Sequence, residues 1–316
     1  KYTNFRSARA KLNGLITDLY NFYDGMMKDG RFTDTDREIF KAVNRNMEDD
    51  IASGSLGKLC EWLYRYYGRK CIVILDEYDT PMQEAYVNGF WDEMTAYIRA
   101  LFNSTFKTNP YMERGIMTGI TRVSKESIFS DLNNLRVVTT TSNLYAMSFG
   151  FTEKEVFAAM DAQGIAEEEK TKVKKWYDGF TFGDIMDIYN PWSVTMYLDE
   201  QKLDTYWANT SGNGLVSKLI REGDKGIKKE FEKLLNGEMI EAKIDEQIIF
   251  SQLAQNRNAI WSLLIASGYL KVVSIMREQT DDDLTLAASR QDSGSRNVFT
   301  MALCWGLLWT RQMLTW

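Results

Sequence analysis

Apolar positions along this chain fall into runs whose spacing changes from helical to extended and back. Leu12, Leu15, Ile16, Leu19, Tyr23 and Met26 recur at three- and four-residue intervals and predict an amphipathic first helix. A polar loop with Gly30 follows. Leu56, Leu59, Cys60, Leu63, Tyr64 and Tyr67 then predict a second helix that ends at Gly68. Directly after it, Cys71 to Leu75 are apolar without a polar break and stop at Asp76 and Glu77. Such a run predicts a strand buried on both faces of a parallel sheet. Thr80-Pro81-Met82-Gln83 predicts a helix start, with Thr80 as N-cap, Pro81 at the first helical position and Gln83 closing a capping box. Phe90, Met94, Tyr97, Ile98, Leu101 and Phe102 line one face of a further helix, and Pro110 marks the turn out of it. Gly115 to Gly119 predicts a second strand ending at the polar Thr118, and Arg136–Thr141 a third. This alternation of helix and strand predicts an α/β layered fold.

Beyond residue 150 the strand signals fade. Thr152-Glu-Lys-Glu155 is a capping box leading into Val156 to Met160, closed by Gly164. Ala166–Tyr177 predicts a charged helix, and Asn190 with Pro191 starts another. Residues 215–283 predict mainly helix with a short strand at Tyr269–Ile275. The stretch 284–316 differs from the rest: it holds one acid, Asp292, no Lys and three Trp. It reads as a C-terminal helix docked on the core, or as an ending that is not native. The expected division is a core over 1–150, a helical segment over 151–214, a second helical region over 215–283 and the atypical tail 284–316.

Composition narrows the function classes. A chain of 316 residues, 44% apolar and rich in aromatics, can build sizeable cores and supports roughly two domains. The net charge of −6 gives no electrostatic footprint for nucleic acid. With no histidine, imidazole-based triads, dyads and zinc sites are excluded. Cys60, Cys71 and Cys304 are far apart and read as buried thiols rather than a disulfide framework. No apolar run approaches the roughly 18 residues of a membrane span, and no signal peptide opens the chain, so a cytoplasmic protein is expected. A start at Lys1 rather than Met points to a trimmed beginning.

Asp76 and Glu77 carry the strongest chemical signal. At the carboxyl end of a buried strand, where ligands of such sheets bind, one acid can hold Mg²⁺ and the next can orient a water for attack on a phosphate. This is a Walker B arrangement. The bland alternative is a pair of solvated acids opening a helix, where negative charge suits the helix dipole. Thr118, at the end of the next strand, stands where a polar sensor touches the γ-phosphate or the attacking water, and strand propensity alone explains it equally well. Arg122, four residues on, is placed to stabilise charge on a transferring phosphoryl group, or is a surface arginine. No phosphate-cradling Gly-rich loop accompanies them. Ser53-Gly-Ser-Leu-Gly-Lys-Leu59 has Ala52 where the first Gly is required and Leu59 where Ser or Thr is required, and reads as a helix N-terminus. Glu241-Ala-Lys243 has the acid-x-Lys form of some nuclease metal sites, yet its polar flanks predict a solvated connector. Trp207 to Gly214 reads as a loop.

Several segments together resemble the predicted AAA-ATPase-like family: Leu75-Asp-Glu-Tyr-Asp-Thr-Pro81, Thr118 to Phe129, Asp131 to Leu135, Trp176 to Phe180, Tyr189 to Ser193, Tyr206 to Gly212 and Ser267 to Leu270. The resemblance runs over roughly residues 1–280. It implies a P-loop NTPase-like parallel sheet flanked by helices, a mainly helical lid and a winged-helix-like region, with ATP and Mg²⁺ as ligands. It further implies Asp76 as the metal acid, Glu77 as the catalytic acid, Thr118 as the sensor and Arg122 as a phosphate contact. The family's Gly-Lys-Ser loop is absent from this sequence, as is the nuclease-like C-terminal domain of many members. The expectation is an ATP hydrolase truncated after its P-loop and inactive in this form, with a non-catalytic ATPase-derived scaffold or partner-binding switch as the alternative.

Overall fold

The computed structural model describes residues 2–120, 132, 135–206, 214–243, 253, 257–267, 269–277 and 297–303. Two compact units result, Lys1–Leu135 and Arg136–Trp316. Both mix helices and strands.

In the first unit, α1 (Phe5–Phe22) is capped by Asn4, whose side chain accepts from the Ser7 amide. Of its apolar positions, Ile16 and Tyr20 are buried while Leu15 and Leu19 are exposed, so the stripe facing the core is narrower than the sequence predicts. A short 3₁₀ turn (Asp24–Lys28) leads to α2 (Asp34–Ala42), which fills the expected Gly30 loop. A reciprocal Thr33–Asp36 capping box starts α2. Helix α3 (Asp49–Tyr67) ends at Gly68 in the left-handed conformation, as expected. It begins well before Ser53, so Gly54, Gly57 and Lys58 lie inside the helix and not at its N-terminus. Gly57 serves packing there: a Cβ at this position would lie 2.9 Å from the Ser104 carbonyl oxygen of α5 (Trp91–Phe106).

Strand β1 (Cys71–Leu75) coincides with the apolar run, and α4 (Thr80–Asn88) and α5 carry the chain across to β2 (Met112–Met117). The two strands pair in parallel, with Ile72 opposite Arg114 through Leu75 opposite Met117, after an irregularity at the start of β1. The expectation of burial on both faces is corrected. Cys71, Val73 and Leu75 are half-buried, whereas Ile72 and Ile74 are 57% and 70% exposed. Helices cover one face: Cys71 Sγ lies against the Cys60 carbonyl of α3, and Gly115 lies against the Phe106 ring of α5. An all-apolar strand carries no alternation to show that its other face is open. Cys60 and Cys71 are free thiols, and burial pushes that of Cys71 up to about 12.

A buried polar hub ties the helical layer together. Asp36, nearly buried, accepts from Trp62 Nε1 at 3.0 Å and takes both arms of the Arg65 guanidinium at 3.0 Å each. The Arg65 pair, foremost, holds the Asp36 carboxyl well below the usual carboxylate range. A second hub is Asn13, fully buried, which accepts from Tyr97 Oη at 2.5 Å and donates to the Met47 carbonyl.

The second unit opens with a turn. The expected strand at Arg136–Thr141 is not formed: the Ser142 amide bonds the Thr139 carbonyl at 3.0 Å, and the Thr139, Thr141 and Ser142 hydroxyls gather around that turn. Such local hydroxyl bonding favours turns over ladders. A three-stranded antiparallel sheet then forms in the order β3 (Phe151–Thr152), β5 (Ile185–Tyr189), β4 (Asp178–Phe182). Helices α6 (Glu153–Ala162), α7 (Glu167–Tyr177) and α8 (Pro191–Glu200) pack with it around Val156, Met160, Val173, Tyr177, Tyr189 and Val194. The Thr152–Glu155 capping box and the Asn190 cap stand as the sequence predicts.

Further along come α9 (Gly214–Glu222), α10 (Lys225–Leu235), β6 (Ile240–Lys243), α11 (Arg257–Ala266), β7 (Leu270–Arg277) and β8 (Asn297–Leu303), with sheet order β6-β8-β7. Strand content after residue 150 is therefore larger than expected. Glu241 and Lys243 sit on an antiparallel strand rather than a connector, both exposed. Residues 297–303 of the tail form a strand and not a docked helix. Among the described residues, no helix is long and apolar enough to cross a membrane.

Replacing Asp36 by Ala removes the acceptor of Trp62 Nε1 and the carboxylate that pairs with Arg65, and should cost about 2–3 kcal/mol at neutral pH. Because the folded-state carboxyl lies below its unfolded value, its contribution is complete above about pH 4 and fades as pH falls further. Urea denaturation of wild type and Asp36→Asn at pH 7 and pH 3 checks this: the gap between them should narrow at pH 3.

Candidate functional site

Strand register decides which side chains meet at the carboxyl ends of β1 and β2. Leu75 opposes Met117 on the helix-covered side, so the next pair, Asp76 and Thr118, falls on the open side with Ile74 and Ile116. The ladder continues past the strands: the Thr118 amide donates to the Leu75 carbonyl at 2.9 Å and the Tyr78 amide to the Thr118 carbonyl at 3.0 Å. The Thr118 hydroxyl consequently donates to Asp76 Oδ1. Asp76 Oδ1 also accepts from the Glu77 amide at 3.1 Å. Of the four residues singled out from sequence, Asp76, Glu77 and Thr118 are brought together; Arg122 lies outside the described residues.

Glu77 has an unusual backbone. Its φ of 51° is left-handed, a region that a non-glycine residue occupies at a cost of about 1–2 kcal/mol. The turn it makes is closed by the Thr80 amide on the Glu77 carbonyl at 3.1 Å, and its carboxylate accepts from Thr80 Oγ1 at 3.3 Å. Backbone strain of this kind persists where the surroundings over-determine it and clusters at functional sites. Both acids are exposed, and Thr118 is half-buried.

One expectation at this turn shifts by a residue. The N-cap position of α4 is Asp79 and not Thr80, with Pro81 in the first turn. Asp79 does not cap with its side chain. It turns inward to 1% exposure, and Oδ2 accepts from Gln83 Nε2 at 2.9 Å. An Asp just before Thr-Pro is a recognised helix-start signal, but nothing in the sequence shows that its carboxylate is buried.

The donor set suits Mg²⁺ in one mode. It offers a carboxylate and a hydroxyl, hard oxygen ligands on an open surface, and among the described residues no group of three or more acids, Cys or His could cage a metal. Mg²⁺ commonly uses one or two carboxylates together with waters and substrate phosphates. A cleft of about 400 Å³ lined by Gly57, Ser104, Lys107, Asn109 and Tyr111 lies at the opposite end of the sheet, before β2 begins.

Comparison with known proteins agrees with the motif-level resemblance. Residues 4–129 are similar to the family model described as "Predicted AAA-ATPase". The match ends before the motifs at 176–180, 189–193, 206–212 and 267–270. An "Uncharacterized protein in vnfD 5'region" of Azotobacter chroococcum mcd 1 is 25% identical over 168 residues, 52% of this chain and 32% of that protein. The chain thus spans about a third of the length of that relative. No solved structure matches.

If Glu77 is strained as its φ indicates, Glu77→Gly should be neutral or stabilising by about 0.5–1 kcal/mol. Glu77→Val, β-branched in the same conformation, should lose about 1–2 kcal/mol. Thermal melts of the two variants beside wild type provide the comparison, and equal melting temperatures would show that position 77 is unstrained.

Proposed function

We propose that Asp76, Glu77 and Thr118 form the acidic half of an ATP-hydrolysing site, with Asp76 holding Mg²⁺ and Glu77 orienting the attacking water. The observation that carries this reading is the register-fixed meeting of Asp76 and Thr118 at adjacent carboxyl ends of parallel strands, within the segment matched by the family. Mg²⁺ bound to the phosphates supplies charge neutralisation. The chain's own part is placement: Asp76 offers a carboxylate, the Thr118 hydroxyl is held against it, and the Glu77 carboxylate is held by Thr80 Oγ1 on the turn that follows. Arg122 is a phosphate contact on this reading, by its place in the sequence alone.

The β1–β2 ladder corresponds to part of a P-loop NTPase-like sheet. The order α9–α10–β6–α11–β7–β8 with sheet order β6-β8-β7 supports a winged-helix-like region. Helix α11 of that region is largely buried, with Ile260, Trp261, Leu263 and Leu264 at 4% exposure or less. A cytoplasmic location, expected from the sequence pattern, and a nuclease-like domain in the full-length protein, expected from the resemblance, are parts of this proposal.

In a full-length protein with an intact phosphate-binding loop, Glu77→Gln should keep Mg-ATP binding and lower hydrolysis by about 10²-fold or more. Radiolabelled ATP retention measured beside phosphate release tests it, and unchanged release would remove Glu77 from its role. Residues 1–316 alone contain no Gly-x-x-x-x-Gly-Lys-Ser/Thr sequence and should not bind Mg-ATP tightly in a calorimetric titration. Tight binding there would point instead to a site that works without that loop.

A further inference from the structure

Glu77 is held in its left-handed turn by what lies behind it. The Tyr78 amide is fixed on the Thr118 carbonyl, and the next side chain, Asp79, is buried beneath the exit of β2. A Cβ on Gly119 would lie 2.6 Å from Asp79 Oδ1 and 2.8 Å from Tyr78 Cε1, closer than real Cβ atoms come. Residue 119 has no left-handed backbone to accommodate; its need for glycine is one of space. The Asp79 carboxylate, anchored one turn along α4 by Gln83, therefore packs directly against the bare backbone that follows Thr118.

We propose that Asp79 and Gly119 are a positioning pair: a buried carboxylate seated against a side-chain-free backbone locks the Asp76–Glu77 turn to the Thr118 strand end. Neither touches the reacting groups. Their effect on hydrolysis is through the placement of Glu77 and so rests on the ATPase reading above, whereas their effect on the turn does not. An added methyl at 119 must push the Asp79 and Tyr78 side chains away, and the pair predicts that the Tyr78 amide bond to the Thr118 carbonyl loosens with them. Asp79→Asn keeps the shape and an acceptor for Gln83; Asp79→Ala removes both.

The test uses the full-length protein and two readouts: steady-state hydrolysis of Mg-ATP, and hydrogen exchange of the peptide containing the Tyr78 amide. Gly119→Ala and Asp79→Ala should lower kcat by about tenfold or more while KM stays within about threefold, as expected for misplacement of a reacting group. Both should speed Tyr78 exchange, and Asp79→Asn should stay near wild type in each readout. Should Gly119→Ala fail to fold, the Asp79→Ala and Asp79→Asn contrast carries the same test. Wild-type Tyr78 exchange in Gly119→Ala and Asp79→Ala would overturn the pair. So would exchange accelerated evenly across the unit with kcat and KM changed together, which marks a general loss of structure. A wild type that hydrolyses no ATP would overturn the ATPase reading and leave the pair to be decided by exchange alone.

Discussion

The parallel pairing of β1 with β2 is the constraint on which the candidate site depends. Two helices, α4 and α5, separate the strands in sequence, and only the ladder from Ile72–Arg114 to Leu75–Met117 brings their ends together. Side-chain direction alternates along each strand, so a slip of one residue would place Thr118 on the helix-covered side and Asp76 alone on the other. The irregularity falls after the first pair, Cys71–Met112, where β2 carries one more residue than β1. From there every pair through Leu75–Met117 is in step, and the two amide bonds beyond the strands carry the same register into the loops.

That register has an electrostatic consequence. Asp76 and Thr118 lie on the open face, beside the exposed Ile74 and Ile116, and Glu77 is exposed as well. Charges facing water interact weakly, and the same groups act strongly once a ligand or a closing element excludes it. The first unit thus contributes geometry, and the strength of the interaction must come with what binds.

Much of this was legible in the sequence where a local signal had a single physical meaning. The run Cys71–Leu75, the left-handed Gly68, the Thr152–Glu155 box and the Asn190-Pro191 start each specify one local geometry, and each is found. Other features were hidden because they depend on contacts remote in sequence. Burial of β1 on one face only is set by which helices reach the sheet, and an unbroken apolar run looks the same in either case. Strand β6 is short, with exposed Glu241 and Lys243, so its extended form comes from pairing with β8 some 60 residues later. Asp79 shows the same limit at the site itself. Its place before Thr80-Pro81 signals a helix start, but its buried seat against Gly119 is created by the register 40 residues away.

Strain at Glu77 and the buried polar hubs of the helical layer belong to one mechanical design. A left-handed glutamate would relax if the strand ends could move apart, so the framework behind it has to be stiffer than the turn. Asp36 joins α2 to α3 through Trp62 and Arg65, and Asn13 joins α1 to α5 through Tyr97. Such satisfied polar contacts are directional, and they fix helix positions in a way that apolar packing alone leaves looser. On that helix layer rest both strands, Cys71 of β1 against the Cys60 carbonyl of α3 and Gly115 of β2 against the Phe106 ring of α5. The left-handed turn at Glu77 stands directly after β1, where the paired strands end.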